Sequence, residues 1–359
     1  MGLFSKKTNV GVDIGHHSIK VMQLEKSGDS YKVSKLAVAP TPKEALRDGV
    51  VVDPALMGLV LKQLLKDNHI SATSALIAVA GGSVVVRPVR IPKMAEATLR
   101  RSMKLEAGRY IPSSAEDSYI EFEITGDAED NQMDVLMVAA PKDIVESRMQ
   151  ACREAGLETE AVDVEVFAAY RSLVEADPTK DFTEKTVALI DVGSATTSVS
   201  VVQKGFFVMS RTIPNGGHML TEALTNYFKI SEEDAETGKA QLDFRELLTE
   251  EKPKENPPLR VLQPHVDDLV REIRRSLNYY QSQQAEGSQS STVDALLLTG
   301  GGAKMNGLGS YLGHKLGIEM IELDVFENSR FLHAGEEGQK GSDLSVVTGL
   351  ALRPYGKAA

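Results

Sequence analysis

The chain has 359 residues, of which 42% are apolar and 25% charged, enough apolar sequence for the cores of two or more domains. Its 51 acidic and 40 basic residues leave a formal net charge of -11, so no general attraction to nucleic acid or anionic lipid is expected. The single cysteine excludes an intrachain disulfide framework and is typical of a reducing compartment. The sequence has neither an apolar run of roughly 18 residues nor a signal-peptide core, so a cytoplasmic protein without membrane insertion is expected.

The first elements are predicted to be strands, because Val10, Val12 and Ile14 alternate and the alternation resumes at Ile19 after a short polar loop. This pattern predicts a tight hairpin at the start of the chain. In chain order, the elements expected are strands over 10–14, 19–23 and 31–38, a helix over 54–66 and a buried strand over 75–80. These predicted elements have the order βββαβ.

The sequence pattern changes after residue 84. The elements expected there are a helix that ends near residue 110, strands over 118–124 and 133–139, and a helix over 141–155 that Gly156 ends. Residues 85–155 are therefore predicted to form a small inserted α+β subdomain. A strand over 160–166 and a helix after it would return the chain to the first domain.

The opening hairpin recurs in the second half of the chain. The run Ile190-Asp191-Val192-Gly193 aligns on Val12-Asp13-Ile14-Gly15, and in both copies a polar loop and a second strand follow. The chain therefore contains one module twice. Beyond the second copy we expect an exposed loop over 251–258, a helix over 269–280, a linker over 285–291, a strand over 295–298 and a closing helix over 344–352.

Two loops carry residues suited to a metal-bound polyphosphate, and a third suits close contact with a nucleoside. A carboxylate at the end of a buried strand orients Mg²⁺ and water, a glycine lets the backbone approach a ligand, and hydroxyl or ammonium groups donate to phosphate oxygens. The first loop offers Asp13, Gly15, His16, His17, Ser18 and Lys20, and the second offers Asp191, Gly193, Ser194, Ala195 and Thr196. The third, a glycine turn after a buried strand, offers Gly300, Gly301, Gly302, Ala303 and Lys304.

This order of motifs resembles the actin, heat-shock-chaperone and sugar-kinase ATPase superfamily. The resemblance implies an α/β, actin-like (ribonuclease H-like) two-lobed ATPase fold with duplicated βββαβα units and a small α+β insertion domain, binding ATP or ADP with Mg²⁺. It implies that Asp13 and Asp191 hold Mg²⁺ largely through water, that the other residues of the first two loops line the phosphates, and that the third loop approaches the adenosine. The second loop departs from many members, because Ser194 and Ala195 stand where they carry two glycines.

Two further pairs of residues follow from the same resemblance. The run Ala235-Glu236-Thr237-Gly238-Lys239 resembles the A-E-x-x-K helix of the second lobe, in which Glu236 and Lys239 would contact the ribose and the adenine. Asp163 or Glu165 stands where superfamily hydrolases position the attacking water, so either is a candidate general base. The alternative, that both face solvent or cap the next helix, stays open, and hydrolysis is expected to be weak or absent.

Within the superfamily, the chain resembles the type IV pilus assembly PilM family, which is related to the cell-division protein FtsA. The residues that carry this resemblance are Ile91-Pro92, Tyr110-Ile111-Pro112, Glu272-Ile273-Arg274-Arg275-Ser276-Leu277 and Gly349-Leu350-Ala351-Leu352. FtsA-like proteins end in an amphipathic membrane helix, and the residues after Leu352 are too few to form one. PilM-like function is therefore favoured.

The resemblance also implies a division into lobes and a role. The first lobe would comprise 1–84, 156–184 and 341–359, the inserted subdomain 85–155, and the second lobe 185–340 with its own insertion at about 228–293. The implied role is a cytoplasmic scaffold, recruited to the inner membrane through partners, that binds the amino-terminal cytoplasmic tail of the membrane protein PilN and couples nucleotide state to the pilus machinery. Other pilus assembly or motor proteins and self-association are further expected contacts. The alternatives are an FtsA-like membrane-associated filament or division scaffold and a small-molecule kinase of the same fold.

Overall fold

The computed structural model describes residues 8–111, 114–249, 255–283, 292–332 and 340–356. The strands are β1 Asn9–Ile14, β2 Ser18–Ser27, β3 Ser30–Pro40, β4 Leu46–Arg47, β5 Val50–Val51, β6 Ser74–Val79, β7 Val85–Pro92, β8 Ser118–Ala128, β9 Gln132–Pro141, β10 Glu158–Val164, β11 Thr186–Val192, β12 Thr197–Gln203, β13 Phe206–Ile213, β14 Ala295–Thr299, β15 Met320–Glu322 and β16 Phe331–Leu332. The helices are α1 Pro54–Asp67, α2 Glu96–Ala107, α3 Lys142–Glu154, α4 Glu165–Tyr170, α5 Gly217–Phe228, α6 Glu232–Gln241, α7 Pro257–Ser282, α8 Leu308–Leu316 and α9 Ser345–Leu352.

The chain forms two compact units. The first comprises Met1–Lys180, Val325–Gln339 and Leu344–Ala359, and the second comprises Asp181–Asp324 and Lys340–Asp343. The lobe boundaries expected from the sequence stay a prediction. Among the described residues, no helix combines the length and the apolar character needed to cross a membrane.

The larger sheet of the first unit has the strand order β10-β6-β1-β2-β3-β16. Strand β1 lies antiparallel to β2 and parallel to β6, so the predicted hairpin stands at the centre of the sheet. Helix α1 covers it, with Met57 and Leu61 fully buried, each contributing about 1.5–3 kcal/mol through burial. The side chain of Asp53 begins this helix by accepting a hydrogen bond from the Leu56 amide at 2.9 Å.

The inserted region builds a sheet of its own. Its strands follow the order β7-β9-β8, and α2 contributes Leu99 and Met103 to a core shared with Met133 and Val135 of β9. Helix α3 follows β9 directly, but its residues Ala151 and Cys152 belong to the core of the larger sheet. Helix α3 therefore packs on the first unit's main core at the point where the chain leaves the insertion.

The second unit repeats the layout of the first. Its sheet has the order β13-β12-β11-β14-β15, in which β11 lies antiparallel to β12 and parallel to β14, as β1 does to β2 and β6. Helices α5, α7 and α8 supply the core beside this sheet, including the fully buried Tyr280 and Tyr311. The duplication predicted from the two Asp-x-Gly hairpins is thus present in the strand order of both units.

Two predicted element boundaries are wrong. The helix expected over 269–280 begins at Pro257, inside the segment expected to be a loop, because proline is tolerated in a first helical turn and the Asn256 side chain caps the Leu259 amide at 3.4 Å. Strand β10 ends at Val164, so Glu165 begins α4 instead of lying within the predicted strand. The expected linker over 285–291 and residues 251–254 of the expected loop lie outside the described residues.

Candidate functional site

The loop between β1 and β2 is a tight turn closed by its own backbone. The Gly15 amide donates to the Ser18 carbonyl at 3.1 Å, and the Thr41 hydroxyl donates to the Gly15 carbonyl at 2.6 Å. A Cβ at position 15 would lie 3.1 Å from the Ser18 carbonyl oxygen, which explains the glycine. Ser18 is buried, whereas His16 and His17 keep more than a third of their surface exposed, and the His16 imidazole is still partly shielded from solvent by the protein.

Asp13 and Lys20 face each other across this hairpin. They are cross-strand partners in the register of β1 and β2, and the Lys20 ammonium donates to Asp13 Oδ2 at 3.1 Å. Both side chains are about nine-tenths buried, with 10% of Asp13 and 11% of Lys20 exposed. The pairing satisfies two charges that would each be costly to bury alone, and it places one anion and one cation beside the turn.

The loop between β11 and β12 repeats the first turn. The Gly193 amide donates to the Thr196 carbonyl at 2.9 Å, the same hydrogen bond that closes the turn at Gly15. Asp191 occupies the position of Asp13, but its cross-strand partner is Ser198, so the second hairpin has no counterpart of Lys20 there. Gly193, Ser194, Ala195 and Thr196 are all half-buried, which leaves the turn accessible to a ligand.

Sequence reasoning missed the glycine pair that packs against this second turn. The amides of Gly217 and His218, in the first turn of α5, donate to the carbonyls of Gly193 and Ser194, each at 2.9 Å. A Cβ on Gly216 would meet the Gly193 carbonyl oxygen at 2.7 Å. The signal was present in the sequence as two consecutive glycines immediately before an amphipathic helix.

The glycine turn after β14 is pressed against the end of β11. Gly300 has φ 88° and ψ 176°, a conformation essentially restricted to glycine, and a Cβ there would meet Asp191 Oδ1 and lie 2.6 Å from the Val192 carbonyl oxygen. A Cβ on Gly302 would lie 2.6 Å from Val192 Cβ, whereas one on Gly301 would meet nothing within 4 Å. The outer two glycines are therefore required by packing, and Gly301 leaves open space at the surface.

Two further contacts hold the glycine turn. Ser342 accepts hydrogen bonds at its carbonyl from the Thr299 hydroxyl at 2.9 Å and from the Gly300 amide at 3.1 Å. Lys304, at the end of the turn, forms an ion pair of 2.6 Å with Asp343. No local sequence pattern indicates these contacts, because they join segments about 40 residues apart.

Lys239 is held in a polar network inside the second unit. Its ammonium donates to the Gly217 carbonyl at 3.0 Å, to the Thr221 hydroxyl at 2.7 Å and to Glu236 Oε1 at 2.8 Å. These three bonds use all three of its donors, and the Thr221 hydroxyl also contacts Glu236. Glu236 is 39% exposed, so its carboxylate is the part of the pair that a ligand can reach. A small apolar pocket, with room for about one water molecule, lies nearby and is lined in part by Gly217, Leu220 and Met305.

Electrostatics in the first unit centre on a residue that sequence reasoning also missed. Arg148, on α3, is 2% exposed, and burial lowers the pKa of its guanidinium while the carboxylates of Glu165 and Asp13 oppose that shift. Partial burial and then the charge of Arg148 lower the pKa of His16, and Asp48 opposes them. Asp13, His16 and Glu165 thus lie within the electrostatic reach of one buried cation.

The two candidate bases have different surroundings. Asp163 is 6% exposed, and its Oδ2 pairs with Arg353 at 2.7 Å and with Arg171 at 3.0 Å. Its Oδ1 accepts from the Val164 amide at 2.8 Å, so both oxygens are engaged and, with so little of its surface exposed, Asp163 offers little access to a water molecule. Glu165 is half-buried in the first turn of α4, near Arg148. The geometry therefore favours Glu165 over Asp163 for water activation.

The residues predicted for the site form two groups, one in each unit. The group in the first unit comprises Asp13, Gly15, His16, His17, Ser18, Lys20, Asp163 and Glu165, and that in the second comprises Asp191, Gly193, Ser194, Ala195, Thr196, Glu236, Lys239, Gly300, Gly301, Gly302, Ala303 and Lys304. Nowhere in the described ranges do three or more His, Cys, Asp or Glu side chains converge as a metal cage. The donors fit a Mg²⁺ that keeps its waters and reaches the protein through one or two carboxylates and a phosphate chain.

Comparisons with known proteins place the chain in one family. The family model described as type IV pilus assembly protein PilM matches residues 11–355. Cell division protein FtsA of Bacillus subtilis (strain 168) is 25% identical over 260 residues, covering 65% of this chain and 57% of FtsA. The chain therefore matches little more than half the length of that relative. FtsA of Pseudomonas aeruginosa is 22% identical over 344 residues, covering 84% of this chain and 79% of FtsA.

Solved structures show the same fold. A structure of the PilM-PilN type IV pilus biogenesis complex superposes with a TM-score of 0.82 at 25% identity, covering 96% of this chain and 98% of that one. The ethanolamine utilization protein EutJ from Carboxydothermus hydrogenoformans gives 0.57 at 19% identity, covering 98% and 91% of the two chains. MreB5 of Spiroplasma citri bound to ADP gives 0.53 at 12% identity, covering 96% and 95%. The predicted actin-like fold is confirmed.

Proposed function

Because this chain belongs to the type IV pilus assembly protein PilM family, we propose that it is an ATP-binding scaffold that binds the amino-terminal cytoplasmic tail of a PilN-like inner-membrane protein. The observation that carries the proposal is the superposition on the PilM-PilN complex over nearly the full length of both chains. Binding to that tail would recruit the protein to the cytoplasmic face of the inner membrane. Other pilus assembly or motor proteins would then meet it there.

The nucleotide part of the proposal rests on the repeated turns. In each unit an aspartate, Asp13 or Asp191, is the next-to-last residue of a strand, and the glycine two residues later closes a turn on a carbonyl three residues further along. Such turns leave backbone and carboxylate groups at the carboxyl ends of the strands, where a phosphate chain with Mg²⁺ can bind. Within the second unit, bound ATP or ADP would place its phosphates at the turn of Gly193 and its nucleoside at Glu236 and Gly301.

The chain's own residues would bind and orient the nucleotide more than they would cleave it. Lys20 would donate to a phosphate oxygen, and Glu236 would accept from the ribose. Asp163 is engaged by two arginines, which leaves Glu165 as the candidate for orienting a water molecule. Slow turnover and a binding role are the expected result, with nucleotide state altering how the insertion is presented to partners.

The experiment is calorimetric titration with Mg²⁺-ATP, repeated in the presence of a synthetic peptide copied from the cytoplasmic tail of the PilN-like protein. We expect both ligands to bind, with little phosphate released. Asp13→Ala and Asp191→Ala should each abolish Mg²⁺-nucleotide binding and leave the circular dichroism spectrum intact. Unchanged nucleotide affinity in both variants would show that the two loops are structural turns.

The FtsA relatives support a second candidate, a membrane-associated filament or division scaffold. Sedimentation with lipid vesicles in the absence of any partner separates the two functions. A scaffold recruited through PilN should stay in the supernatant until a lipid-anchored tail peptide is added. Sedimentation with bare vesicles would favour the FtsA-like function.

A further inference from the structure

Arg148 is a buried cation with an incomplete set of partners. It lies on α3 with 2% of its surface exposed, and its Nη1 donates to the carbonyls of Gly49 and of Ile144, the latter at 3.2 Å. Its buried Nε has no hydrogen-bond partner among the described residues. A guanidinium this deep in a fold is retained only where opposite charges compensate it.

The compensating charges belong to the candidate phosphate site. Glu165 and Asp13 are the carboxylates that stabilise the charged form of Arg148, and the charge of Arg148 in turn acts on His16 in the first turn. Asp13 already has Lys20 as a direct partner at 3.1 Å. The predicted site residues of the first unit, here called the first half-site, therefore include two carboxylates, Asp13 and Glu165, whose charge is balanced by the contacting Lys20 and by the buried Arg148.

Arg148 also joins α3 to the turn between β4 and β5. The Gly49 carbonyl that it binds lies in the turn between β4 and β5, and its neighbour Ser147 accepts from the Val51 amide at 3.1 Å. A Cβ on Gly49 would lie 3.0 Å from the Ala80 carbonyl oxygen at the end of β6, so the turn is held tightly between α3 and the sheet. Helix α3 begins directly after β9, the central strand of the insertion.

We propose that Arg148 is a positioning residue that compensates the carboxylate charges of the first half-site when Mg²⁺ is absent. When Mg²⁺-nucleotide binds, the change in charge at the half-site alters the contacts of Arg148, and through them the structure of α3 and of the insertion. This inference rests on the proposed nucleotide-binding function. Mg²⁺ held near Asp13 supplies the positive charge that Arg148 otherwise provides, so the charge of Arg148 makes Mg²⁺ binding there less favourable. A residue with this role raises the affinity for Mg²⁺-free ATP and reduces the further gain in ATP affinity that Mg²⁺ provides.

The test measures the ratio of the ATP dissociation constant in EDTA to that in excess Mg²⁺. In Arg148→Met this ratio should rise by about tenfold, which corresponds to about 1.4 kcal/mol of lost charge compensation. Arg148→Lys, which keeps the charge, should restore a ratio near that of the wild type. Arg153→Gln, on an exposed position of the same helix, is the matched control and should leave the ratio unchanged.

A purely structural role predicts a different result, because it would weaken both affinities together and leave the ratio constant. A ratio in Arg148→Met within about twofold of the wild type therefore overturns the inference while the proposed function stands. If the wild type binds ATP under neither condition, the proposed function fails first and the inference falls with it.

A second measurement on the wild type covers the case in which the neutral variant does not fold. Hydrogen exchange of residues 48–51 and 142–154 should change on addition of Mg²⁺-ATP, and should change less with ATP in EDTA. Identical exchange in these segments under both conditions, with nucleotide bound, would overturn the proposed link to α3.

Discussion

Gly300 offers the sharpest test of how the second half of the site is built. Gly300→Ala would force an alanine into a backbone region used almost only by glycine, at a cost of about 1–3 kcal/mol. The new methyl group would also lie 2.6 Å from the Val192 carbonyl oxygen and against Asp191 Oδ1, both at the end of a buried strand. Moving that strand end adds overpacking of about 1–3 kcal/mol, so the free energy of unfolding should fall by about 2–6 kcal/mol.

Gly301 is the matched control, since it is the next residue, has an ordinary φ and would place a Cβ in open space. Gly301→Ala should leave stability within about 0.5 kcal/mol of the wild type. If the nucleoside approaches this turn, the same substitution should weaken Mg²⁺-ATP binding, because the methyl group would occupy space that the ligand needs. The pair of variants thus separates packing from ligand approach at adjacent positions.

The assay is urea denaturation followed by circular dichroism, together with nucleotide titration of the folded variants. Equal midpoints for Gly300→Ala and Gly301→Ala would refute the packing argument. A normal nucleotide affinity in Gly301→Ala would refute the placement of the adenosine at the glycine turn, whatever the stability of Gly300→Ala.

Three further predictions concern the first unit. Because the pKa of His16 is lowered in the folded protein, the stability that its neutral form contributes is fully present above about pH 6.5 and is lost as the pH falls below that value. A phosphate bound beside His16 should raise this pKa, so ATP binding at pH 6 should take up protons. The calorimetric enthalpy of binding should then depend on the buffer's ionisation enthalpy, and His16→Asn should remove that dependence. Burial raises the pKa of the Cys152 thiol to about 12, so a thiol reagent at pH 8 should modify the native protein only as fast as it unfolds, and rapid labelling would contradict this environment. Asp163→Asn should lower the free energy of unfolding by about 1–3 kcal/mol, less than for a fully buried pair because Arg171 and Arg353 are 21% and 41% exposed; an unchanged urea midpoint would show that the ion pairs contribute nothing.

The fold was largely predictable because its signals are local. Alternation over 10–14, the Asp-x-Gly loops and their repetition depend on residues within a few positions of one another, and the register Asp13↔Lys20 confirms the hairpin that they predicted. Prediction failed where one residue type has two meanings. The prolines at 257 and 258 were interpreted as loop residues, although proline is equally suited to a first helical turn.

By itself the sequence determined the two repeated modules, the insertion between their elements and the aspartates and glycines at the strand ends. The tertiary structure alone decided the environment of those residues. It buried Arg148, bonded it to Gly49, a residue 99 positions away, and exposed it to the charge of Asp13, and it used all three donors of Lys239 within the protein. Hydrogen bonding and desolvation depend on which distant segments meet in space, and no local pattern records that information.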